Sequence, residues 1–300
     1  MAAEDRLEIL STALLDEHRT VVDELKQIAG LVHQEFGWHY LLDLTWIINN
    51  LDLGKLVNVL DAGAGLGILQ WYLASKGINV LSVDREDRCD LAPHFRKCFL
   101  VQGLRPEDLN VSYNPWEAAI RRPGSFTHKL KGFGRDQLSM WQRKSILPGS
   151  GTVTFYHQDL KTLEDVPDNT FDAIVAVSSL EHNPPQDLPV VVNELLRVLK
   201  PGGKLVASLS TVGAEDGYHA PSSGWMYSET SMKKCFDLAE DTTTNFADYP
   251  HLLEQLRNSS ELREGLARFY FKSEKGGMPW GVWDPQYVPV GVCKVKPAAG

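Results

Sequence analysis

Basic charge is the first thing this chain is short of. Its 300 residues carry 30 Lys and Arg against 39 Asp and Glu, a formal net charge of −9. A surface for general nucleic-acid binding is therefore not expected. Cysteine is scarce as well. Cys89, Cys98, Cys235 and Cys293 show no CxxC and no Cys/His ligand spacing. That argues against a zinc ribbon and a disulfide framework, so no metal is expected, and reduced thiols in the cytoplasm are. No stretch approaches the ~18 apolar residues of a membrane span. The opening MAAEDRLEIL is acidic and lacks a basic n-region, so it is not expected to be a signal peptide. No internal repeat or low-complexity tract is present. What is left is 43% hydrophobic and 23% charged, enough for a sizeable core.

The informative segment is VNVLDAGAGLGILQWYLASKG, Val57–Gly77. An apolar run ends in Asp61, a turn carries Gly63, Gly65 and Gly67, and a helix follows at Ile68–Ser75. A second apolar run, Asn79–Val83, ends in Asp84. Two buried strands, each ending in a carboxylate with a glycine turn between them, describe a nucleotide-type pocket at strand C-termini. Glycine lets the backbone approach a ligand and adopt positive φ. Asp84 is placed to accept from two ribose hydroxyls. NAD proteins share this much, and Asp61 separates the cases. A carboxylate there would repel a pyrophosphate, whereas an ammonium beside it would be favoured. S-adenosylmethionine carries that ammonium and a sulfonium, and has no phosphate.

Further strands are expected at Val57–Leu60, Val153–Tyr156, Phe171–Val177 and Lys204–Leu209. A helix at Asp187–Leu199 is broken by Pro201-Gly202-Gly203. Strands alternating with helices predict an α/β fold with a doubly wound, mostly parallel sheet. Residues 4–33 read as an amphipathic helix or a broken pair, from Leu7, Leu10, Leu14, Val21, Leu25, Ile28 and Val32. The segments 89–150 and 213–290 are too long for ordinary connections and read as substrate covers.

With those residues placed, the chain resembles the class I S-adenosylmethionine-dependent methyltransferases. It is most similar to the small-molecule branch that includes the ubiquinone and menaquinone enzymes. The resemblance lies in VLDAGAGLG (Val59–Gly67), VDRE (Val83–Glu86), QDL (Gln158–Leu160), FDAIVAVSSLEH (Phe171–His182) and LLRVLKPGGKL (Leu195–Leu205). It implies a Rossmann-like sheet of seven strands with a late antiparallel strand, for which Tyr287–Val295 is the candidate. Residues 1–51 would be an N-terminal helical cap. Residues 52–300 would be the methyltransferase domain, interrupted at 89–150 and 213–286. Asp61, Ala62, Gly63 and Gly65 would hold the methionine part. Asp84 would hold the ribose, with Arg85 beside the adenine. Asp159 would accept from the adenine amino group and Leu160 pack on the ring. Ser178 would lie near the methyl donor, and Tyr40 would close over the cofactor. The acceptor would be a small molecule such as a saccharide or secondary metabolite.

Two histidines are catalytic candidates, because imidazole titrates near neutral pH. His182 follows the fourth strand, and its plainer role is to orient that loop. His219 lies in GYHAPSSGWMYS, and its plainer role is packing among the aromatics there. Trp38 reads as core. Residues 120–145 hold Arg121, Arg122, Lys129, Lys131, Arg135, Arg143 and Lys144 against Asp136 alone. That stretch is either a solvated loop or a lid for an anionic acceptor. Two other classes stay open at this point: an NAD-type oxidoreductase and a non-catalytic cofactor-binding protein. Asp84→Ala is expected to weaken S-adenosylhomocysteine binding severely without unfolding the protein; unchanged affinity by calorimetry would refute the pocket assignment.

Overall fold

A computed structural model of the chain describes residues 4–121, 125–141, 145–266 and 283–298. Among the described residues, ten strands make one mixed sheet. In chain order they are β1 (Arg6–Ile9), β2 (Asn58–Ala62), β3 (Asn79–Asp84), β4 (Leu100–Gly103) and β5 (Thr152–His157). They continue with β6 (Phe171–Val177), β7 (Leu199–Thr211), β8 (Gly217–His219), β9 (Gly224–Met226) and β10 (Val288–Val295). The main path runs β1-β10-β7-β6-β2-β3-β5-β4, with β9 joining β7 and β8 joining β9.

The strands from β4 across to β7 are parallel, so each needs a crossover, and helices supply most of them. Their sequences are near-continuous apolar runs, because both faces of a parallel sheet are covered. On β6 only Asp172 and Val177 are not fully buried. On β5 the side chains alternate between two cores. Val153 and Phe155 pack with Trp71, Phe95 and Phe99, and Tyr156 packs into the main core. Trp71 stacks on Phe95 with ring centroids 4.8 Å apart, a contact area that fixes the helix Ile68–Ser75 on the sheet.

The chain builds β3, β4 and β5 on one side of β2, then crosses to β6 and β7 on the other. The reversal leaves a crevice at the C-terminal ends of β2, β3 and β6. Asp61, Asp84 and Ser178 all lie there, at or just beyond those ends.

The sheet departs from expectation in three places. It has ten strands where seven were expected. Residues 4–33 are not one amphipathic helix: β1 pairs antiparallel with β10, Leu7 opposite Val292 and Ile9 opposite Val290, before helices at Leu14–Glu17 and Arg19–Leu31. Leu7 and Leu10 are buried in the main core from the strand and the residue that follows it, not from a helix of their own. Pro201-Gly202-Gly203 does not precede the fifth strand but lies inside β7. A register shift on β6 and a left-handed Gly202 (φ +77°) absorb the irregularity. The late antiparallel strand is β10, inserted between β1 and β7.

At the middle of β10, Gly291 lets the indole of Trp46 lie flat on the strand. A Cβ there would sit 2.5 Å from the ring. The same indole donates to the Glu8 carboxylate on β1 at 2.7 Å, so one side chain ties three segments together. Gly291→Ala should destabilise the protein by about 1–3 kcal/mol through forced displacement of Trp46, measured by denaturant unfolding with the m-value unchanged.

Candidate active site

The crevice holds a cavity of about 550 Å³, within the size range of small-molecule sites. Its floor is the turn Gly63–Gly67. Gly63 and Gly65 have φ of +69° and +50°, and a Cβ on Gly63 would lie 2.5 Å from that of Ser179. Only glycine fits at Gly63, and its absent side chain leaves the backbone bare to the cavity.

The turn is held by a buried polar network. Arg88 Nη1 donates to the Gly65 carbonyl at 2.8 Å and to Ser82 Oγ at 2.5 Å, while Nη2 donates to the Ser82 carbonyl at 2.7 Å. Ser82 Oγ donates in turn to Gln70 Oε1 at 2.7 Å, and Gln70 Nε2 reaches the carbonyls of Gly65 and Gly67. Asp84 Oδ2 accepts the Gly65 amide at 2.7 Å, and its Oδ1 accepts the Glu86 amide at 2.8 Å. Asp84 is thus a structural part of the turn. A carboxylate has about four acceptor positions, so two remain for a ligand's hydroxyls.

Asp61 is 2% exposed. Burial pushes its carboxyl up to about 7; the charge of Arg88 opposes that rise and the charge of Asp84 adds to it. A cation arriving beside Asp61 would restore its charge and be bound by it.

Tyr40, Asp61, Gly63, Gly65, Asp84, Arg85, Asp159, Leu160, Ser178 and His182 all line this one cavity. Ala62 lies just behind it, buried, its carbonyl accepting Ser179 Oγ at 2.6 Å. Asp159 is exposed and caps its own turn, Oδ1 accepting the Lys161 amide. Arg85 is exposed, and its carbonyl accepts from His157 Nε2 at 2.9 Å. His182 is exposed at the rim; its Nδ1 donates to the Ser223 carbonyl at 3.1 Å, which leaves Nε2 as the acceptor of the neutral ring.

His219 does not line the cavity. It is half-buried, hydrogen-bonded to Ser222 Oγ at 2.7 Å and edge-on to Tyr287. Trp38 is core. Among the described residues, segment 89–150 contributes nothing to the cavity wall and segment 213–286 contributes only Ser223. Of the basic stretch, Arg122, Arg143 and Lys144 lie outside the described residues. The rest falls on the helices Pro115–Arg121 and Phe126–Trp141. Among the described residues no cluster of three His, Cys, Asp or Glu side chains could hold a metal ion, and no helix is long and apolar enough to cross a membrane.

Sequence reasoning missed Arg88, Gln70 and Ser82, which look like ordinary polar residues of a loop, a helix and a strand. It also missed the acidic character of the wall. Glu35, Asp61, Asp84, Glu86 and Asp159 line the cavity against Arg85 alone among Lys and Arg. That donor set disfavours a pyrophosphate and suits a cationic, phosphate-free ligand.

Residues 134–207 match the methyltransferase domain family. The match takes in Asp159, Leu160, Ser178 and His182 and leaves the glycine turn and Asp84 outside it. A probable methyltransferase, ltbC, of Aspergillus luteorubrus is 37% identical over 125 residues, 41% of this chain and 43% of its own length. A demethylmenaquinone methyltransferase of Anoxybacillus flavithermus is 31% identical over 107 residues, 35% of this chain and 44% of its own length. The chain thus matches less than half the length of these curated relatives. Among solved structures, a SAM-dependent methyltransferase of Leishmania major aligns with a TM-score of 0.40 at 14% identity, covering 73% of this chain and 71% of the other.

Removing the guanidinium has a readable consequence. In Arg88→Met, Asp61 loses its opposing positive charge, so its carboxyl should titrate above the wild-type value of about 7. Carboxyl-carbon NMR across a pH series measures this, and an unmoved titration would contradict the proposed network.

Proposed function

We propose that this chain, whose core is a class I S-adenosylmethionine-dependent methyltransferase domain, transfers the cofactor's methyl group to a small-molecule acceptor. The observation that carries the proposal is the cavity wall: five carboxylates, one of them the buried Asp61, around a glycine cradle at the sheet's reversal point. The residues fit the group. Asp61 would take the ammonium, with Ala62, Gly63 and Gly65 offering close backbone. The remaining acceptor positions of Asp84 would take the ribose hydroxyls. Arg85, Asp159 and Leu160 would flank the adenine, and Tyr40 and Ser178 would close the remaining wall.

The cofactor, when bound, supplies a methyl group already activated on a cationic sulfur. The chain's own work is therefore to bind, align and exclude water. Tyr40, Leu44 and Val177 give the cavity its apolar wall. His182, with Nδ1 fixed by Ser223 and Nε2 left to accept, contacts the acceptor at the rim. His219, turned toward Tyr287, is not assigned a catalytic role.

Residues 1–51 are proposed as a cap on the domain formed by residues 52–300. A cytoplasmic location suits the buried thiols Cys98, Cys235 and Cys293. The partner class is small molecules rather than nucleic acid, in keeping with the net charge of −9.

Thermal unfolding with S-adenosylhomocysteine, S-adenosylmethionine, NAD and NADP, side by side, tests the reading. The first pair should stabilise by ~2.7 kcal/mol at 100 times the dissociation constant; a shift with NAD alone would move the protein to redox chemistry. Calorimetry adds a sign. The ligand's ammonium favours ionised Asp61, which is neutral below about 7 in the free protein. Affinity should rise with pH up to about 7 and level off above it. Below that it should fall by up to ~10-fold per pH unit, and Asp61→Asn should flatten the profile.

A further inference from the structure

We propose that the acceptor group is a hydroxyl, and that Ser178 and Glu181 carry its proton out of the pocket into a buried carboxylate. This rests on the methyltransferase reading above and deepens it by naming the acceptor chemistry.

Ser178 lines the cavity one residue beyond the end of β6, held in left-handed backbone at φ +48°. Its amide is anchored to the Ser208 carbonyl at 3.1 Å. Its hydroxyl donates to Glu181 Oε1 at 2.7 Å, which directs its lone pairs to accept from elsewhere. A hydroxyl so placed takes a proton on one side as it gives one up on the other.

Glu181 is buried at 5% exposure. Its Oε1 also accepts Ser210 Oγ at 3.2 Å. Its Oε2 is buried with no hydrogen-bond partner, and among the described residues Glu181 has no ion pair. The neighbouring imidazole is committed elsewhere: His39 Nδ1 meets Asp43 Oδ2 at 2.6 Å, both side chains almost fully buried. Burial opposes charge on His39, but the charge and hydrogen bond of Asp43, with a smaller contribution from Glu181, hold its pKa above the usual value. The titratable groups facing Glu181 are thus His39 and Asp43 from the start of the helix Tyr40–Asn49, His182 from its own turn and the Tyr227 phenol. Desolvation outweighs the hydrogen bond of Ser178 and the electrostatic influence of the two imidazoles, and raises the Glu181 carboxyl. A buried carboxylate with one oxygen left without a hydrogen bond gains by accepting a proton.

A proton acceptor one hydrogen bond behind the cavity wall selects the nucleophile. A neutral amine attacks without first losing a proton, whereas a hydroxyl must shed one as it gains carbon. The acceptor oxygen exchanges its O–H bond for an O–CH3 bond, and the sulfur keeps the electron pair of the bond it loses. The acceptor's proton passes to Ser178 Oγ while the Ser178 proton passes to Glu181, which ends neutral beside the His39–Asp43 pair. Glu181 acts through Ser178 and is a positioning residue in this scheme.

Two measurements test it. The first needs no acceptor: glutamate carboxyl-carbon NMR of the whole protein with S-adenosylhomocysteine, the Glu181 signal assigned by its loss in Glu181→Gln. Titration above the ordinary glutamate range supports the relay. Titration within that range, or a carboxyl that stays protonated from about pH 5 to 10, overturns it. The second is transfer of labelled methyl from S-adenosylmethionine to a panel of hydroxyl- and amine-bearing acceptors that includes 4-nitrophenol. Label should appear on oxygen. Glu181→Gln and Ser178→Gly should each lower kcat by ~100-fold or more for weakly acidic hydroxyls. S-adenosylhomocysteine affinity should be unchanged in Glu181→Gln, and the variant's loss should be smallest for 4-nitrophenol, which ionises unaided. Label on nitrogen, or full turnover in Glu181→Gln, overturns the relay and leaves methyl transfer standing. Failure of the wild-type protein to bind S-adenosylhomocysteine overturns the earlier reading instead. If the panel yields no product, the NMR titration alone decides.

Discussion

A single buried guanidinium holds the glycine turn in shape. Arg88 bridges the Gly65 carbonyl, the Ser82 hydroxyl and the Ser82 carbonyl, so it joins the glycine turn to β3 from beneath. Gln70 closes the same circuit from the following helix. The turn needs such support because its backbone is left-handed at Gly63 and Gly65 and open to the cavity above. Buried polar groups are costly unless every one is matched, and here the match is what fixes the geometry. Asp84 completes it from the side by taking the Gly65 amide.

The same guanidinium sets the electrostatics of the pocket. Without it Asp61 would be a buried carboxylate beside another carboxylate, Asp84, and would remain protonated further into the alkaline range. With it Asp61 sits near neutrality, ready to ionise when a cation arrives. The surrounding acids make the cavity unwelcoming to phosphate. Shape alone would admit several nucleotide-like ligands; charge narrows the choice.

Behind this pocket lies a second polar layer of different character. His39, Asp43, Glu181, Ser178 and Ser210 come from the start of the helix Tyr40–Asn49, the turn after β6 and the C-terminal end of β7. Asp43 Oδ1 and Glu181 Oε2 are buried without hydrogen-bond partners. Such atoms are expensive where packing alone is at stake. Glu181 lies one hydrogen bond from Ser178, and under the proposed relay that expense has a chemical use.

The central strands, the glycine turn and the strand-end carboxylates were legible because each is a local pattern. Apolar runs, glycine spacing and a terminal acid lie within a few residues of one another. The parallel sheet followed from alternation of strand and helix. The edge of the sheet was not legible. The leucines of residues 7–14 recur at three and four, which fits a helix, yet Arg6–Ile9 pair with Val290–Cys293 at the far end of the chain. A four-residue strand takes its identity from its partner, and no local period reports that. For the same reason Arg88, Gln70 and Ser82 carry no mark of burial in the sequence. Only the tertiary structure could decide that His182 faces the cavity and His219 does not, or that Glu181 lies behind Ser178. Those are consequences of where distant segments stop and pack, and local chemistry does not encode them.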